Sequence, residues 1–327
     1  MTLFKKQLPE FKKSIDDHLI MILSGSEQSS KELSEAMKYS VMNGGKRIRP
    51  LMMLASATAI DVETEDVIPF ATAIELLHSF SLIHDDLPCM DDDSMRRGQP
   101  TTHIKFGEAT ATLAADSLQS LAFESMAKAK FPKSKSTQLD LISTIAKSIG
   151  SAGMAGGQSL DLDSENKKLD PSSVENIYML KTGKLLEASI LAPTYFRELS
   201  KKEVSALIGF SESIGVAFQI QDDLIEAEGD ENMIGKSVDS DKSKNKAAYP
   251  ILFGINESKK RVKKLYESAC DCLKVFGESS NALREMAEII IHRKLQIYCL
   301  IPIPFLSKIT AVVNKRIKKK TIIIKAF

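Results

Sequence analysis

Apolar residues recur at three- and four-residue steps along most of the chain, the spacing that gathers them on one face of an α-helix. The segments "LMMLASATAI" (51–60), "FATAIELLHSFSLIHDDL" (70–87), "ATATLAADSLQSLAFESMAKA" (109–129) and "SALIGFSESIGVAFQIQDDLIEA" (205–227) carry it most clearly. All four are rich in Ala, Leu, Met and Glu, which favour helix. Two-residue alternation is weak, so strands are not expected. The pattern breaks at "NGGK", "FPKSKS", "GSAGMAGGQ", "DLDSENKKLDPSS" and "GDENMIGKSVDSDKSKNKAAYP", where Gly, Pro, Ser and charge cluster. Within the fourth break, Asp170 before Pro171 suits a helix start, a capping carboxylate followed by a residue with no N–H to satisfy. None of the breaks has the length of a domain linker, and the pattern predicts one all-α domain of many helices.

Composition narrows this picture. With 43% hydrophobic residues and only 16 Gly and 11 Pro in 327 residues, the chain can bury a large core and is not that of a disordered protein. Lys plus Arg at 44 against Asp plus Glu at 43 gives a formal charge of +1. The last 33 residues, from Leu295, hold seven Lys or Arg and no acid, which leaves −6 on the rest. A mildly acidic body argues against a nucleic-acid partner. The four cysteines, Cys89, Cys270, Cys272 and Cys299, show no C-x-x-C spacing, so neither a zinc site nor a disulfide framework is indicated. The opening "MTLFKKQLPEFKKSIDDHLI" has no apolar run of signal-peptide length, and no segment before residue 295 is expected to approach a membrane span. The body is expected to be cytoplasmic.

Acidic chemistry enters through two clusters. "HDDLPCMDDDSMRRGQP" (84–100) puts five aspartates within nine residues, and "QDDLIE" (221–226) places Asp222, Asp223 and Glu226 near the end of another apolar helix. Asp222 and Glu226 fall about 40° apart on that helix, where like charges repel unless a cation lies between them. Asp85 and Asp91 would diverge by about 120° on a continuous helix. Pro88 removes the conflict, because it disfavours helical geometry at Leu87 and lets the chain loop Asp91 back beside Asp85. Carboxylates converging at the mouth of an apolar cavity suit a hard ion such as Mg²⁺, which takes phosphate oxygens as further ligands. The cations nearby agree: Arg96 and Arg97, Lys46, Arg47 and Arg49 in "GGKRIRP", Lys181 in "KTGK", and Lys236 in "IGK". His78 lies on nearly the same helical stripe as Asp85, Gln219 precedes Asp222 by three residues, and Thr182 adjoins Lys181.

"GGKRIRP", "SLIHDDLPCMDDDSMRRGQPTTH", "AGGQSLDL", "KTGKLLEAS" and "AFQIQDDLIEAEGD", in this order between about residue 30 and Lys294, resemble the successive motifs of short-chain trans-prenyltransferases, most like the bacterial farnesyl diphosphate synthases. The resemblance implies roughly ten or more helices around a deep central cavity, usually in a homodimer. It implies that Asp85, Asp91, Asp222, Asp223 and Glu226 hold Mg²⁺, several ions together with an allylic diphosphate. Arg96, Lys181 and Lys236 would add fixed charge on that diphosphate. Lys46, Arg49, His78 and Arg97 would hold isopentenyl diphosphate without metal. Thr182 and Gln219 would present oxygens near the developing carbocation, and with Lys181 and Arg96 they form the implied catalytic set.

Product length follows from the same resemblance. Phe80, five residues before the first aspartate, together with the two-residue insertion within Leu87–Met90, implies a cavity floor and a C15 product made by two condensations. Ser81 beside it is small, which keeps geranylgeranyl diphosphate as the alternative. A catalytically silent homologue acting as a binding subunit is the alternative of a different class, and the presence of both aspartate motifs speaks against it. The chain departs from the pattern twice. Glu226 stands where an Asp is usual, and residues 295–327 extend beyond the matched region as an apolar, lysine-rich tail. The tail could touch an anionic membrane, fold over the core, or have no role. The expected boundaries are 1–294 for the catalytic domain and 295–327 for the extension.

Overall fold

The computed structural model describes residues 3–25, 30–164, 167–228 and 248–292. Among these, helix α4 (Thr64–Asp85) is the element around which the others assemble. Every residue from Phe70 to Leu77 is buried, so α4 is apolar on all sides, as only an interior helix can be. It packs against α1 (Leu3–Ser24), α2 (Lys31–Met42), α3 (Ile48–Ala59) and α6 (Glu108–Lys128). Contrary to the sequence expectation, α4 is long and apolar enough to cross a membrane by length and composition. Its burial among neighbouring helices accounts for that composition.

The all-α expectation holds for the described residues. After α5 (Thr102–Phe106) and α6 come α7 (Lys135–Ile149), α8 (Met154–Asp163), α9 (Pro171–Tyr178), α10 (Lys184–Leu191), α11 (Lys201–Glu228), α12 (Tyr249–Phe253), α13 (Ile255–Cys272) and α14 (Asn281–Ile291). A single wide π-helical turn, Met179–Gly183, joins α9 to α10. Asp170 caps α9 as expected: its Oδ1 accepts from the backbone N–H groups of Ser172 at 2.9 Å and Ser173 at 3.1 Å. The two serine hydroxyls and these amides hold its carboxyl well below the usual carboxylate range. Two local expectations need correction. "GSAGMAGGQ" is a break only at its start, since α8 begins at Met154 and runs through both later glycines. A two-stranded antiparallel ribbon, β1 (Met95–Arg96) and β2 (Gln99–Pro100), follows the first aspartate cluster. Arg97 and Gly98 turn it with φ of 55° and 74°, the pair of left-handed residues that a two-residue hairpin requires.

Packing also settles the role of one cation. Arg47 caps α3 in the left-handed region, with φ 52°, and is only 3% exposed. Its Nε donates to Asp16 Oδ1 at 2.9 Å and its Nη1 to Glu75 Oε1 at 2.8 Å. Arg47 therefore ties the "GGKRIRP" turn to α1 and α4 and is spent on structure, not on phosphate. Removing it strands a buried Glu75, so Arg47→Ala is expected to lower stability by about 3 kcal/mol or more in urea unfolding followed by circular dichroism. A loss near zero would mean that Asp16 and Glu75 need no counter-charge.

Candidate active site

The first aspartate cluster forms because α4 stops where Pro88 predicts. The helix ends at Asp85, with Asp86 as its cap, and the following residues fold back so that the Asp91 N–H donates to the Asp85 carbonyl at 2.8 Å. Asp91 thus lies beside Asp85, as the sequence indicated. Burial pushes the Asp85 carboxyl up to about 6, with Asp91 and Asp86 adding to the rise and Lys181 and Arg96 opposing it. Asp86 points the other way. Arg96 reaches it from β1, with Nε 2.7 Å from Oδ1 and 2.8 Å from Oδ2, and Nη2 2.6 Å from Oδ1. Arg96, expected on a diphosphate, has its guanidinium engaged with Asp86 and lies 3.7 Å from Asp93. Its charge still bears on Asp85.

The second cluster meets the first across the π-turn. Two glycines let helices press onto the backbone of this turn: a Cβ at Gly157 of α8 would lie 2.2 Å from Lys181 N, and one at Gly215 of α11 would lie 2.9 Å from Gly183 Cα. Four residues after each glycine, one helical turn on, stands a polar partner for the turn. From α8, Asp161 Oδ2 accepts from Lys181 Nζ at 2.6 Å. From α11, Gln219 Oε1 accepts from the Thr182 hydroxyl at 2.9 Å. Gln219 Nε2 in turn donates to Asp223 Oδ1 at 3.1 Å. Asp223 Oδ2 accepts from the Tyr249 N–H at 3.1 Å and from the Tyr178 hydroxyl. Burial, followed by the Asp223 charge, drives the Tyr178 phenol upward and keeps it protonated. Lys181 therefore serves Asp85 and Asp161, while the adjacent Thr182 serves the Asp223 side.

A basic cluster surrounds His78, two turns earlier on nearly the same stripe of α4 as Asp85, and shares Arg96 with the acidic side. Burial first, and then the charges of Arg49, Arg97, Arg96 and Arg47, push the His78 imidazole well below its ordinary value. His78 is thus a neutral ring in a strongly positive field. Arg97 Nη1 donates to the Gly44 carbonyl at 2.7 Å, which seats the hairpin turn on the "NGGK" turn. The Arg49 guanidinium lies 6.0 Å above the Phe218 ring of α11, next to Gln219. Phe80 is half-buried, edge-on to His84 with ring centroids 5.5 Å apart. Asp222 and Glu226 are half-buried near the end of α11. Lys236 and residues 295–327 lie outside the described residues.

The profile of the family described as polyprenyl synthetase matches residues 30–283, and these span both acidic clusters, the π-turn and the basic turn. The chain belongs to the polyprenyl synthetase family. It is 42% identical over 296 residues to the farnesyl diphosphate synthase of Haemophilus influenzae, covering 89% of this chain and 99% of that one. Among solved structures it resembles an FPP/GFPP synthase from Zymomonas mobilis, with a TM-score of 0.79 and 34% identity over 88% of this chain and 98% of that one. It also resembles a geranyltransferase from Helicobacter pylori complexed with magnesium and isoprenyl diphosphate, with a TM-score of 0.74 and 29% identity over 87% and 96%.

Two residues of this polyprenyl synthetase site escaped the sequence reading. Asp161 lies inside the quoted "AGGQSLDL", and its spacing of four from Gly157 was a usable signal. Tyr178 gave none, because a tyrosine three residues before a lysine has no distinctive pattern. The donors gathered at the first cluster are carboxylate oxygens, with Asp91 folded back beside Asp85, and oxygen donors suit a hard cation such as Mg²⁺. Among the described residues no group of three or more His, Cys, Asp or Glu side chains is placed to hold a metal ion.

The raised Asp85 carboxyl has a stability consequence with a definite sign. The folded protein holds this proton up to about pH 6, whereas an unfolded aspartate loses it near 4. Without metal, stability therefore falls as pH rises from about 4 to about 6, and the penalty is complete above that window. Asp85→Asn is expected to stabilise the EDTA-treated protein by about 2 kcal/mol at pH 7.5 and to leave it unchanged at pH 4 in urea titrations. Equal stability of the two proteins at pH 7.5 would remove the burial argument.

Proposed function

We propose that this chain is a short-chain trans-prenyl diphosphate synthase that condenses isopentenyl diphosphate with dimethylallyl and then geranyl diphosphate to give farnesyl diphosphate. The observation that carries this reading is the π-turn, which presents Lys181 to the Asp85 side and Thr182 to the Asp223 side while a separate arginine-rich cluster surrounds His78. One acidic and one basic subsite match two diphosphates bound in different ways. The allylic diphosphate lies at the acidic subsite, where Asp85, Asp91 and Asp222, with Glu226, would hold Mg²⁺. Bound there, Mg²⁺ draws negative charge from the departing diphosphate. Lys181 and Lys236 add fixed positive charge at the same group, and Arg96 contributes from its pair with Asp86.

The C–O bond of the allylic substrate breaks with its electron pair leaving on the diphosphate. The double bond of isopentenyl diphosphate attacks the allylic cation to form the new C–C bond, and the resulting cation gives up a proton to the departed diphosphate, which restores a double bond. Lys46, Arg49, Arg97 and neutral His78 hold the diphosphate of isopentenyl diphosphate, and the half-buried Arg49 and Arg97 supply countercharge. Thr182 and Gln219 face the cation with neutral oxygens, which stabilise charge without attacking it. Phe80 closes the cavity beneath Asp85, about 7.5 Å along the helix, and limits the product to C15.

We read the enzyme as a cytoplasmic homodimer, with residues 1–294 as the catalytic domain and 295–327 as an extension.

Incubating the protein with dimethylallyl and isopentenyl diphosphates and Mg²⁺ should yield mainly C15 product, read by chromatography after dephosphorylation. A mainly C20 product would refute the Phe80 floor, and no product would refute the enzyme. Phe80→Ala should lengthen the product. Arg49→Ala should raise the KM for isopentenyl diphosphate about tenfold or more while changing that for the allylic substrate little, and equal effects on both would contradict the two-subsite division.

A further inference from the structure

Asp223 is the most fully engaged carboxylate in the site. Its Oδ1 accepts from Gln219 Nε2 at 3.1 Å, and its Oδ2 accepts from the Tyr249 N–H at 3.1 Å and from the Tyr178 hydroxyl. The Tyr249 N–H also donates to the Tyr178 oxygen at 2.9 Å, so two mutually bonded groups close on the Oδ2 side of the carboxylate. Tyr178 and Tyr249 are each only 6% exposed. A carboxylate offers about four lone-pair directions, and protein donors take up at least three of those on Asp223.

These bonds have one polarity. An ionised carboxylate only accepts, so the Gln219 amide must turn its NH₂ toward Asp223 and its carbonyl oxygen away. That oxygen then takes the Thr182 proton at 2.9 Å, and Thr182, 7% exposed, has spent its one hydrogen. What the Thr182 hydroxyl has left to offer is lone pairs alone. A group able only to accept favours a neighbouring positive charge and repels a negative one, whereas a freely rotating hydroxyl or a flipped amide would offer either sign.

We propose that Asp223 is a positioning residue rather than a metal ligand: anchored by Tyr178 and the Tyr249 amide, it acts through Gln219 to hold the Thr182 oxygen toward the allylic cation. This rests on the prenyl-transfer reading above. It assigns Tyr178 to the same task and divides the second aspartate cluster, with Asp222 facing the ion and Asp223 facing the protein.

The test compares Tyr178→Phe, Asp223→Asn and Asp222→Asn by two readouts. Calorimetric titration of Mg²⁺ in the presence of inorganic pyrophosphate reports ligation without turnover. Tyr178→Phe and Asp223→Asn should stay within about threefold of the parent, and Asp222→Asn should weaken binding about tenfold or more. Steady-state kinetics should show kcat lowered about tenfold in Tyr178→Phe and Asp223→Asn, with both KM values nearly unchanged. The losses in Asp223→Asn and Thr182→Val should overlap, so that the double variant is no slower than Thr182→Val alone. Tyr178→Phe removes a single oxygen and carries the test should Asp223→Asn fail to fold. Asp223→Asn weakening Mg²⁺ as much as Asp222→Asn would make Asp223 a ligand and overturn the proposal, as would additive losses in the double variant or an unchanged kcat in Tyr178→Phe. Absence of any prenyl product from the parent would instead sink the enzymatic reading, while the calorimetric arm would still decide whether Asp223 binds metal.

Discussion

Carboxylates brought together out of water repel one another, and much of the local structure answers that repulsion. Asp86 is matched by the Arg96 fork at 2.6–2.8 Å, Asp161 by Lys181 at 2.6 Å, and Asp223 by donors from Gln219, Tyr178 and the Tyr249 backbone. Asp85, half-buried beside Asp91 and Asp86, is the group whose carboxyl is pushed up to about 6. A divalent cation would oppose that shift, because its charge favours the ionised form that burial disfavours. Each structural acid thus has a built counterpart, and the charge of Asp85 is left for a ligand to settle.

Holding such charges in register requires rigid support, and the π-turn Met179–Gly183 supplies it. An isolated π-turn is an uncommon and strained element that recurs at functional sites. Here α8 and α11 press on its backbone through Gly157 and Gly215, where any side chain would collide with the main chain of the turn. The same two helices then reach back one turn later with Asp161 and Gln219. The close approach and the polar clamp are therefore one device used twice, and it sets Lys181 and Thr182 on opposite sides of a fixed backbone. On the other flank, buried Arg47 fixes the basic turn to α1 and to α4, the helix that also carries Asp85, so the positive and acidic subsites share one support.

Legibility in the sequence tracked the range of the forces involved. Helix periodicity located α3, α4, α6 and α11, since each buries an apolar face and the pattern of that face is local. The exit of the chain at Pro88 and the return of Asp91 to Asp85 were also readable, because proline geometry acts on its immediate neighbour. Cations were recognisable as a group but not by partner: Arg47 and Arg96 meet acids that lie 28 and 10 residues away, at Glu75 and Asp86. The glycines of α8 read as a break because Gly is a poor helix former, whereas Gly157 is explained by the tertiary approach of the π-turn and Gly156 by the nearby Ser151 backbone. The ribbon at Met95–Pro100 is too short for any alternation to show. Tyr178 meets Asp223 across 45 residues and left no local trace.

On the proposed reading, the acidic subsite is an incomplete cation shell that a diphosphate completes. Counting Mn²⁺ bound to the full chain by electron paramagnetic resonance, with and without inorganic pyrophosphate, tests it most directly. Little binding at micromolar Mn²⁺ without pyrophosphate, and more than one tightly held ion with it, is the predicted result. Tight binding that is the same in both conditions, or no binding in either, would contradict it.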